Sequence, residues 1–532
     1  MTHRLFTIAA LATVAVAASP ASARTKQIVP YIEVGQVLTA DLGNGSDVLT
    51  YSTVAGGIDA SVQTNRVEAQ ISYRYEHRFS YDKRLTDSDV HSGLARAAVR
   101  VAPGFSVEGG AVATRARSDI RGAAPGVLVG NVNNISQVYS VYGGPTVGTH
   151  VGPVGLSASY RYGYTKVEAP GATGVAPGQP RVDVFDDSKS QIAQASANLK
   201  SGTVLPVGIT VSAAWERDDA RQLSQRYEGK YGRADLVLPV TRSLALLGGA
   251  GYEKIEVSQR DPLLDSTGQP VVDRNGRFQE VPGSPRRIAY DFEGIYFDAG
   301  VMWRPSPRTQ LEARVGKRYG STSFTGSFSY QPSKSLAVRL GVYDGIQTFG
   351  RQLQSGISSI PTSFNANNDA LGGQFNGCVF GAQGGAAGNC LNGALQSVST
   401  SAYRARGVDA IISYNRGPYT FGAGAGYANR RFVAPSGALS VNDVTDQSYY
   451  VQAFIARALD SRTTIDANIF GNYYTSGIAG ARGVYGAGAT GSLSRSFGRL
   501  SARGSVGVYS FSQDGAATAV SVQALLGARY QF

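Results

Sequence analysis

Apolar side chains alternate with polar or small ones along most of the chain, in stretches of about 10–14 residues. In residues 67–76, Val, Ala, Ile and Tyr alternate with Glu, Gln, Ser and Arg. Residues 156–165 repeat the pattern, and it returns from Ile465 onward. A period of two residues predicts β-strands that have one apolar and one polar face.

The connections between these stretches alternate between two lengths. The short ones are turns at residues 63–65, 103–104, 152–153, 305–307, 331–333, 416–418 and 460–461. The long ones lie near residues 118–135, 169–188, 260–290, 351–402 and 433–446. This alternation predicts about 22 strands, within a range of 20–24, with both termini at the short-turn end.

Long alternating strands, short turns at one end and long loops at the other are typical of a transmembrane β-barrel. A closed barrel pairs every backbone N–H and C=O internally, as a lipid environment requires. Soluble all-β folds use strands of roughly half this length. We therefore predict an all-β fold, a transmembrane antiparallel up-and-down β-barrel.

The first residues are typical of a cleaved signal peptide. Arg4 gives a short positive region, an apolar stretch follows, and residues 21–23 form an A-x-A cleavage site. Cleavage between Ala23 and Arg24 leaves residues 24–532 as the barrel. The predicted location is the bacterial outer membrane.

Composition excludes several other classes of protein. After the N-terminus no apolar stretch approaches the roughly 18–20 residues of a membrane helix. The chain has 66 Gly, 29 Tyr and 20 Phe, and its regularly spaced aromatic and branched residues argue against disorder. The net charge of +12 is spread without a Lys/Arg cluster, so we expect no nucleic-acid partner.

The last residues resemble the assembly signal of Gram-negative outer-membrane proteins. Gly527, Tyr530 and the terminal Phe532 match that signal, whereas Leu525 stands where it usually has a polar residue. The resemblance implies recognition by the outer-membrane assembly machinery.

A second resemblance covers about 30 residues. Residues 303–309, 318–320 and 324–330 resemble a block in porin-like barrels of proteobacteria that have exopolysaccharide and PEP-CTERM sorting systems. The resemblance implies an outer-membrane barrel linked to envelope polysaccharide, with periplasmic polysaccharide-export components as partners. It carries no catalytic residue to this chain.

Strand phase predicts charged side chains of both signs on the lumen face. The candidates are Arg74, Arg100, Arg161, Glu216, Asp298, Glu312, Arg314, Arg339, Asp466 and Arg503. They either line a water-filled channel or pair with one another and hold the wall. The pattern leaves both alternatives open.

The two cysteines, Cys378 and Cys390, lie in one Gly- and Asn-rich connection. In an oxidising compartment we expect them to form a disulfide. The connection then either folds inward and narrows the pore or is a stiffened external loop.

We expect no catalytic, cofactor or metal site. His77, His91 and His150 lack the spacing of metal ligands, and no G-x-S-x-G occurs. Gly486, Gly488 and Gly491 match a nucleotide-binding pattern but lie in a stretch that reads as a strand.

These observations favour a porin-like channel for hydrophilic solutes, surrounded by outer-membrane lipid and lipopolysaccharide. A structural or adhesive barrel whose lumen is closed by folded-in loops is the alternative. An outer-membrane enzyme is a remote third hypothesis. Nothing in the sequence indicates energy coupling.

Overall fold

The computed structural model describes residues 25–42, 48–81, 88–122, 134–168, 186–273, 277–366, 368–371, 377–382, 386–435, 441–478 and 480–532. The predicted signal peptide and its cleavage site at Ala23 and Arg24 lie outside these residues. Within them, 22 strands form one antiparallel sheet. The sheet closes on itself because β1 (Thr25–Asp41) pairs with both β2 (Val48–Gln63) and β25 (Ala519–Gln531).

The remaining wall strands follow one another around the ring. The first group is β3 (Val67–Ser80), β4 (Ser88–Ala102), β5 (Phe105–Arg117), β6 (Ile135–Val151), β7 (Val154–Glu168), β8 (Asp187–Leu199) and β9 (Gly208–Ala220). The second group is β10 (Arg226–Pro239), β11 (Leu244–Gln259), β12 (Arg287–Ser306), β13 (Thr309–Arg318), β14 (Ser321–Tyr330) and β15 (Leu336–Gln347). The third group is β19 (Ala402–Arg416), β20 (Tyr419–Val433), β21 (Thr445–Ala458), β22 (Thr463–Ser476), β23 (Val484–Phe497) and β24 (Leu500–Gln513).

The two ends of the barrel differ in the length of their connections. The end at which β1 begins and β25 ends carries short turns, of which residues 200–207 form the longest. The opposite end carries the long connections, including residues 118–134, 169–186, 260–286, 348–401 and 434–444. Since outer-membrane barrels have short periplasmic turns, we call these the periplasmic and the extracellular end.

The two faces of the wall differ as the alternation predicts. Large apolar side chains are exposed on the outside, such as Ile295 (75%), Leu526 (74%) and Phe324 (60%). Gly, Ser and charged residues alternate with them on the inside. An apolar outer face is what a lipid environment requires, so the predicted fold class is confirmed and the outer-membrane location follows from it.

The connection between β15 and β19 turns into the lumen. It contains α1 (Phe349–Ser358), α2 (Asn392–Leu395) and a small sheet formed by β16 (Phe364–Asn365), β17 (Cys378–Gly381) and β18 (Gly388–Cys390). We call the described residues between 349 and 401 the inner segment. Among the described residues, no helix has the length and apolar character needed to cross a membrane. Helix α1 instead packs inside the wall.

Candidate functional site: the partitioned lumen

Helix α1 enters the lumen from the extracellular end of β15. The Thr348 side chain caps it by accepting a hydrogen bond from the Arg351 amide, and its hydroxyl donates to Asp218 on β9. Phe349, Leu353 and Ile357 recur every four residues, which places them on one helical face. All three are fully buried.

The apolar face of α1 packs against apolar lumen-facing side chains of the wall. These come from β4–β7 and β9 and comprise Leu94, Val112, Ala116, Val138, Tyr142, Val167 and Ala220. A polar lumen face would not bind such a helix. Apolar residues on the lumen face of these strands therefore mark where α1 docks.

Gly163 on β7 provides the space that α1 needs. A Cβ at this position would lie 2.2 Å from Gln354 Oε1. The amide of Gln354 instead bonds to the Ser190 hydroxyl of β8 and, at 3.3 Å, to Thr165 Oγ1 of β7. Wall and helix are thus fitted to each other at this point.

A buried ion pair also ties α1 to the wall. The Arg351 guanidinium bonds to the Glu216 carboxylate of β9 and lies 4.0 Å from the ring centre of Tyr227 on β10. Burial lowers the pKa of Arg351, but Glu216 and the nearby tyrosines more than offset this, so the pKa stands above its usual value. Arg351 therefore keeps its charge inside the barrel.

Beyond α1 the inner segment descends toward the periplasmic end. The carbonyl of Ile360 accepts a 2.9 Å hydrogen bond from Arg96 Nε of β4. The Gln70 side chain of β3 accepts from the Phe364 amide at 2.9 Å and donates to its carbonyl at 2.7 Å. Since β3 begins at Val67, the segment reaches almost the full depth of the lumen.

A disulfide hairpin forms the far side of the inner segment. Cys378 on β17 and Cys390 on β18 are joined by a disulfide, and Phe380 packs on Phe454 of β21 with ring centres 4.9 Å apart. Gly424 on β20 faces the disulfide. Of the two alternatives that the sequence left open for this connection, the structure shows the inward one.

A third contact involves the strands that close the barrel. Leu371 packs with Leu525 of β25 in a buried cluster that also contains Val37, Tyr51 and Tyr509. This contact explains the departure from the assembly signal. An apolar residue stands at 525 because its side chain faces the inner segment.

Together these contacts carry the inner segment across the lumen, from the wall β4–β9 to the wall β19–β21. Two arcs of wall lie between these walls, β10–β15 on one side and β22–β3 on the other, and the inner segment also contacts the second arc through Phe364 and Leu371. A cavity of about 490 Å³ lies beside α1, lined by β6–β9 on one side and by strands of the first arc on the other. A second cavity, of about 330 Å³, lies between α1, β15 and β19. The lumen is therefore partitioned and retains polar cavities.

The structure places all ten predicted charged residues on the lumen face. Most of them are paired. On the β10–β15 arc, Arg314 bonds to Asp235 at 2.7 Å, to Asp298 at 3.0 Å and to Glu312 at 2.7 Å. Arg233 bonds to Asp235 at 2.8 Å and to Asp298 at 2.7 Å.

Pairs recur around the rest of the lumen. Arg74 bonds to Glu76 at 2.5 Å, Arg161 to Glu108 at 2.6 Å and Arg503 to Asp466 at 3.3 Å. In the described part of the chain no carboxylate lies within 4.0 Å of Arg100 or Arg339. Glu216 and Arg339 line the two cavities, and most of the ten residues brace the wall through ion pairs.

The remaining candidates fall outside the partition. Tyr530 and Phe532 lie on the lipid face of β25 and stack edge to face at 5.2 Å, whereas Gly527 faces the lumen. Gly486, Gly488 and Gly491 belong to β23. Among the described residues no group of three or more His, Cys, Asp or Glu side chains is placed to hold a metal ion.

Sequence reasoning missed α1 and the Arg351–Glu216 pair. The signal that could have found the helix is the spacing of Phe349, Leu353 and Ile357 in a region read as a loop. No local pattern indicates that Arg351 meets Glu216. Arg351 lies on α1 and Glu216 on β9, and the two residues meet only when α1 docks inside the closed barrel.

No family model matches the chain, and no curated protein is significantly similar to it. The chain is similar to the open form of the ferric-catecholate import receptor Fiu from E. coli K12, at 10% identity and a TM-score of 0.44, with 94% of this chain and 81% of that one covered. It is similar to the FrpB iron transporter of Neisseria meningitidis, at 11% identity and a TM-score of 0.42, with 95% and 82% covered. For the siderophore receptor PirA of Acinetobacter baumannii the identity is 11%, the TM-score 0.39 and the coverage 94% and 80%. Likenesses this distant support no inference about what the present chain binds or carries.

Proposed function

We propose that the chain is an outer-membrane channel for hydrophilic solutes whose lumen is narrowed by the inner segment. Solutes pass beside the polar face of α1, between β7–β9 and the β10–β15 arc. Diffusion drives the passage.

The observation that carries this proposal is the cavity of about 490 Å³ beside α1. Its lining includes hydroxyl, amide and charged groups, among them Ser159, Gln194, Ser212, Tyr231 and Arg318. Such a lining favours water and hydrophilic solutes over apolar ones. If the inner segment served only to close the barrel, we would expect it to fill this cavity.

The charge arrangement supports weak ionic selectivity. Two arginines on the arc, Arg233 and Arg314, face three carboxylates, Asp235, Asp298 and Glu312, each within 3.0 Å of an arginine nitrogen. Since the carboxylates exceed the arginines by only one, the local field does not strongly exclude anions or cations.

Planar-bilayer recording on the refolded chain tests the proposal. We expect discrete conductance steps and a reversal potential near zero in a salt gradient. Heat-modifiable migration on gels verifies that the barrel is folded. Absence of steps from a folded barrel would refute the channel.

A structural or adhesive barrel is the second candidate, and one observation favours it. Gly163 and Gly424 leave no room between wall and inner segment, as expected of a permanent closure. A folded barrel without conductance, even after removal of the disulfide, would select this candidate. The link to envelope polysaccharide and to periplasmic export components stays a prediction from residues 303–330.

A further inference from the structure

The seam between β14 and β15 is incomplete. The two strands pair only from Gly326↔Val342 to Tyr330↔Val338, the shortest ladder of the 22 seams between described strands. Beyond Gly326, β14 continues to Ser321 paired only with β13, and beyond Val342, β15 continues to Gln347 paired only with β19. No backbone ladder therefore joins residues 321–325 to residues 343–347.

The opening lies at the height of the apolar belt. Phe324 belongs to the unpaired part of β14 and is 60% exposed on the lipid face. It is paired on its other side with Val315, which is also exposed to the outside. Because the gap is on the extracellular half of both strands, it faces the outer leaflet. An open strand edge in lipid leaves backbone groups unpaired, which is costly.

A polar latch bridges this gap. Asp344 on β15 bonds to Arg404 at 2.7 Å and to Arg406 at 3.2 Å, both on β19. The two guanidinium groups reach across to the Ser321 hydroxyl of β14, at 2.6 and 2.9 Å. Arg406 also donates to the Thr322 carbonyl at 3.2 Å, satisfying one backbone group that lacks a β15 partner. Side chains thus replace backbone pairing.

The second cavity lies directly behind the latch. Its volume is about 330 Å³, and its lining includes Gly326, Val342 and Asp344 from the two edges of the gap, together with Arg339. Two arginines and one aspartate give the latch an excess of positive charge. Arg406 is 42% exposed, so this charge is accessible from outside. The chemistry suits an anionic head group, which arginine binds through paired hydrogen bonds.

We propose that the β14–β15 seam is a lateral site at which an amphiphile of the outer leaflet binds its anionic head group to Arg404 and Arg406 of the latch. The acyl chain stays in the membrane beside Phe324. The head group displaces Asp344 from Arg404 and Arg406. This site does not depend on the proposed channel, since it concerns access from lipid and not from water.

Quenching of tryptophan fluorescence by brominated phosphatidylglycerol tests the site. The chain has two tryptophans, Trp215 and Trp303, which are replaced by phenylalanine so that one reporter can be introduced. Tyr343→Trp puts a reporter on the lumen face at the first unpaired position of β15. Tyr450→Trp is the matched control, on the lumen face of β21, whose ladders with both neighbours run over 13 residue pairs.

We expect a roughly two-fold loss of fluorescence for Tyr343→Trp and little loss for Tyr450→Trp. Asp344→Asn in the Tyr343→Trp background weakens the latch and increases the quenching, whereas Asp409→Asn, a carboxylate of the same cavity on a fully paired seam, does not. Unquenched Tyr343→Trp in a folded barrel carrying Asp344→Asn would overturn the proposal. Equal quenching of both reporters would do so as well, and ion conductance in the same preparation is scored separately.

Discussion

Gly424 of the wall and Cys378 of the inner segment stand so close that no side chain fits between them. A Cβ on Gly424 would lie 2.6 Å from Cys378 Sγ and 2.9 Å from Cys390 Sγ. The disulfide is therefore docked on the wall of β20 and is part of the lumen. A substitution at Gly424 can therefore displace the inner segment without changing any residue of that segment.

Gly424→Leu should push the disulfide hairpin away from β20. The wall blocks movement in the other direction, so the hairpin must shift toward the centre of the lumen. Strand β20 itself accepts a leucine side chain on its lumen face. We expect single-channel conductance to change by roughly two-fold, with unchanged heat-modifiable migration. Gly341→Ala is the matched control, since a Cβ there meets nothing within 4 Å. Equal behaviour of the two variants would contradict the docking.

Arg351→Met should loosen α1. The change keeps much of the side-chain volume but leaves the Glu216 carboxylate without its cation, at a cost of about 3–5 kcal/mol. We expect faster proteolysis within residues 349–366 and a lower temperature of thermal unfolding. Recovery of most of this loss in Arg351→Met/Glu216→Gln would trace the effect to the unpaired carboxylate. No recovery would assign the loss to packing instead.

The ion pair between Arg351 and Glu216 should persist at alkaline pH. The pKa of Arg351 is raised above its usual value by Glu216 and the nearby tyrosines, which outweigh burial. A basic group whose folded pKa is raised stabilises the fold fully below its unfolded pKa and loses that effect only as pH rises through the folded pKa, which for Arg351 lies above the ordinary arginine value. Protease protection of α1 should therefore be equal at neutral pH and at pH of about 10. Release of α1 over that interval would argue against the buried pair.

Arg314→Gln should reveal which arc conducts. Its loss removes the ion pair of Glu312 and leaves Asp235 and Asp298 with Arg233 alone, so the β10–β15 arc becomes more negative. We expect the reversal potential in a KCl gradient to shift toward cation preference. Arg503→Gln removes a similar charge on the opposite arc, and its shift should be smaller. A larger shift for Arg503→Gln would move the pathway to the β22–β3 arc.

Leu525→Asn restores a polar residue at the position where the assembly signal usually has one. It also places an amide in the buried contact with Leu371, so we expect a loss of about 2–4 kcal/mol in the packing of this part of the inner segment. Assembly yield should hold, because Tyr530 and Phe532 on the lipid face are unchanged. Phe532→Ser, in contrast, should lower the yield. A collapse of assembly with Leu525→Asn alone would show that the side chain serves the signal.

The sequence predicts the strands of the wall and their lumen-facing residues, but it does not predict the position of the inner segment. Arg74, Asp298 and Asp466 were placed on the lumen face by a period of two residues, because one face of each strand must meet lipid. The same reasoning gives no information on where residues 349–401 go, since a connection outside the sheet is under no such constraint. The spacing of Phe349, Leu353 and Ile357 indicates a helix, but its partner wall depends on contacts distant in sequence. Asp344 and Arg406 are a further example. These cross-strand partners lie on the outward phase of β15 and β19, where the alternation predicts apolar residues, and they are charged because β15 leaves β14 at this point.

The central claim is that residues 349–401 limit what crosses the barrel. Gln347 and Tyr403 are cross-strand partners, so a two-residue turn between Thr348 and Ala402 can replace the inner segment without disturbing either strand. Liposome swelling with saccharides of increasing size should then be measured for the full chain and for this variant, both shown to be folded. We predict that the full chain admits only small saccharides and that the variant also admits large ones. The same size limit in both proteins would contradict the account.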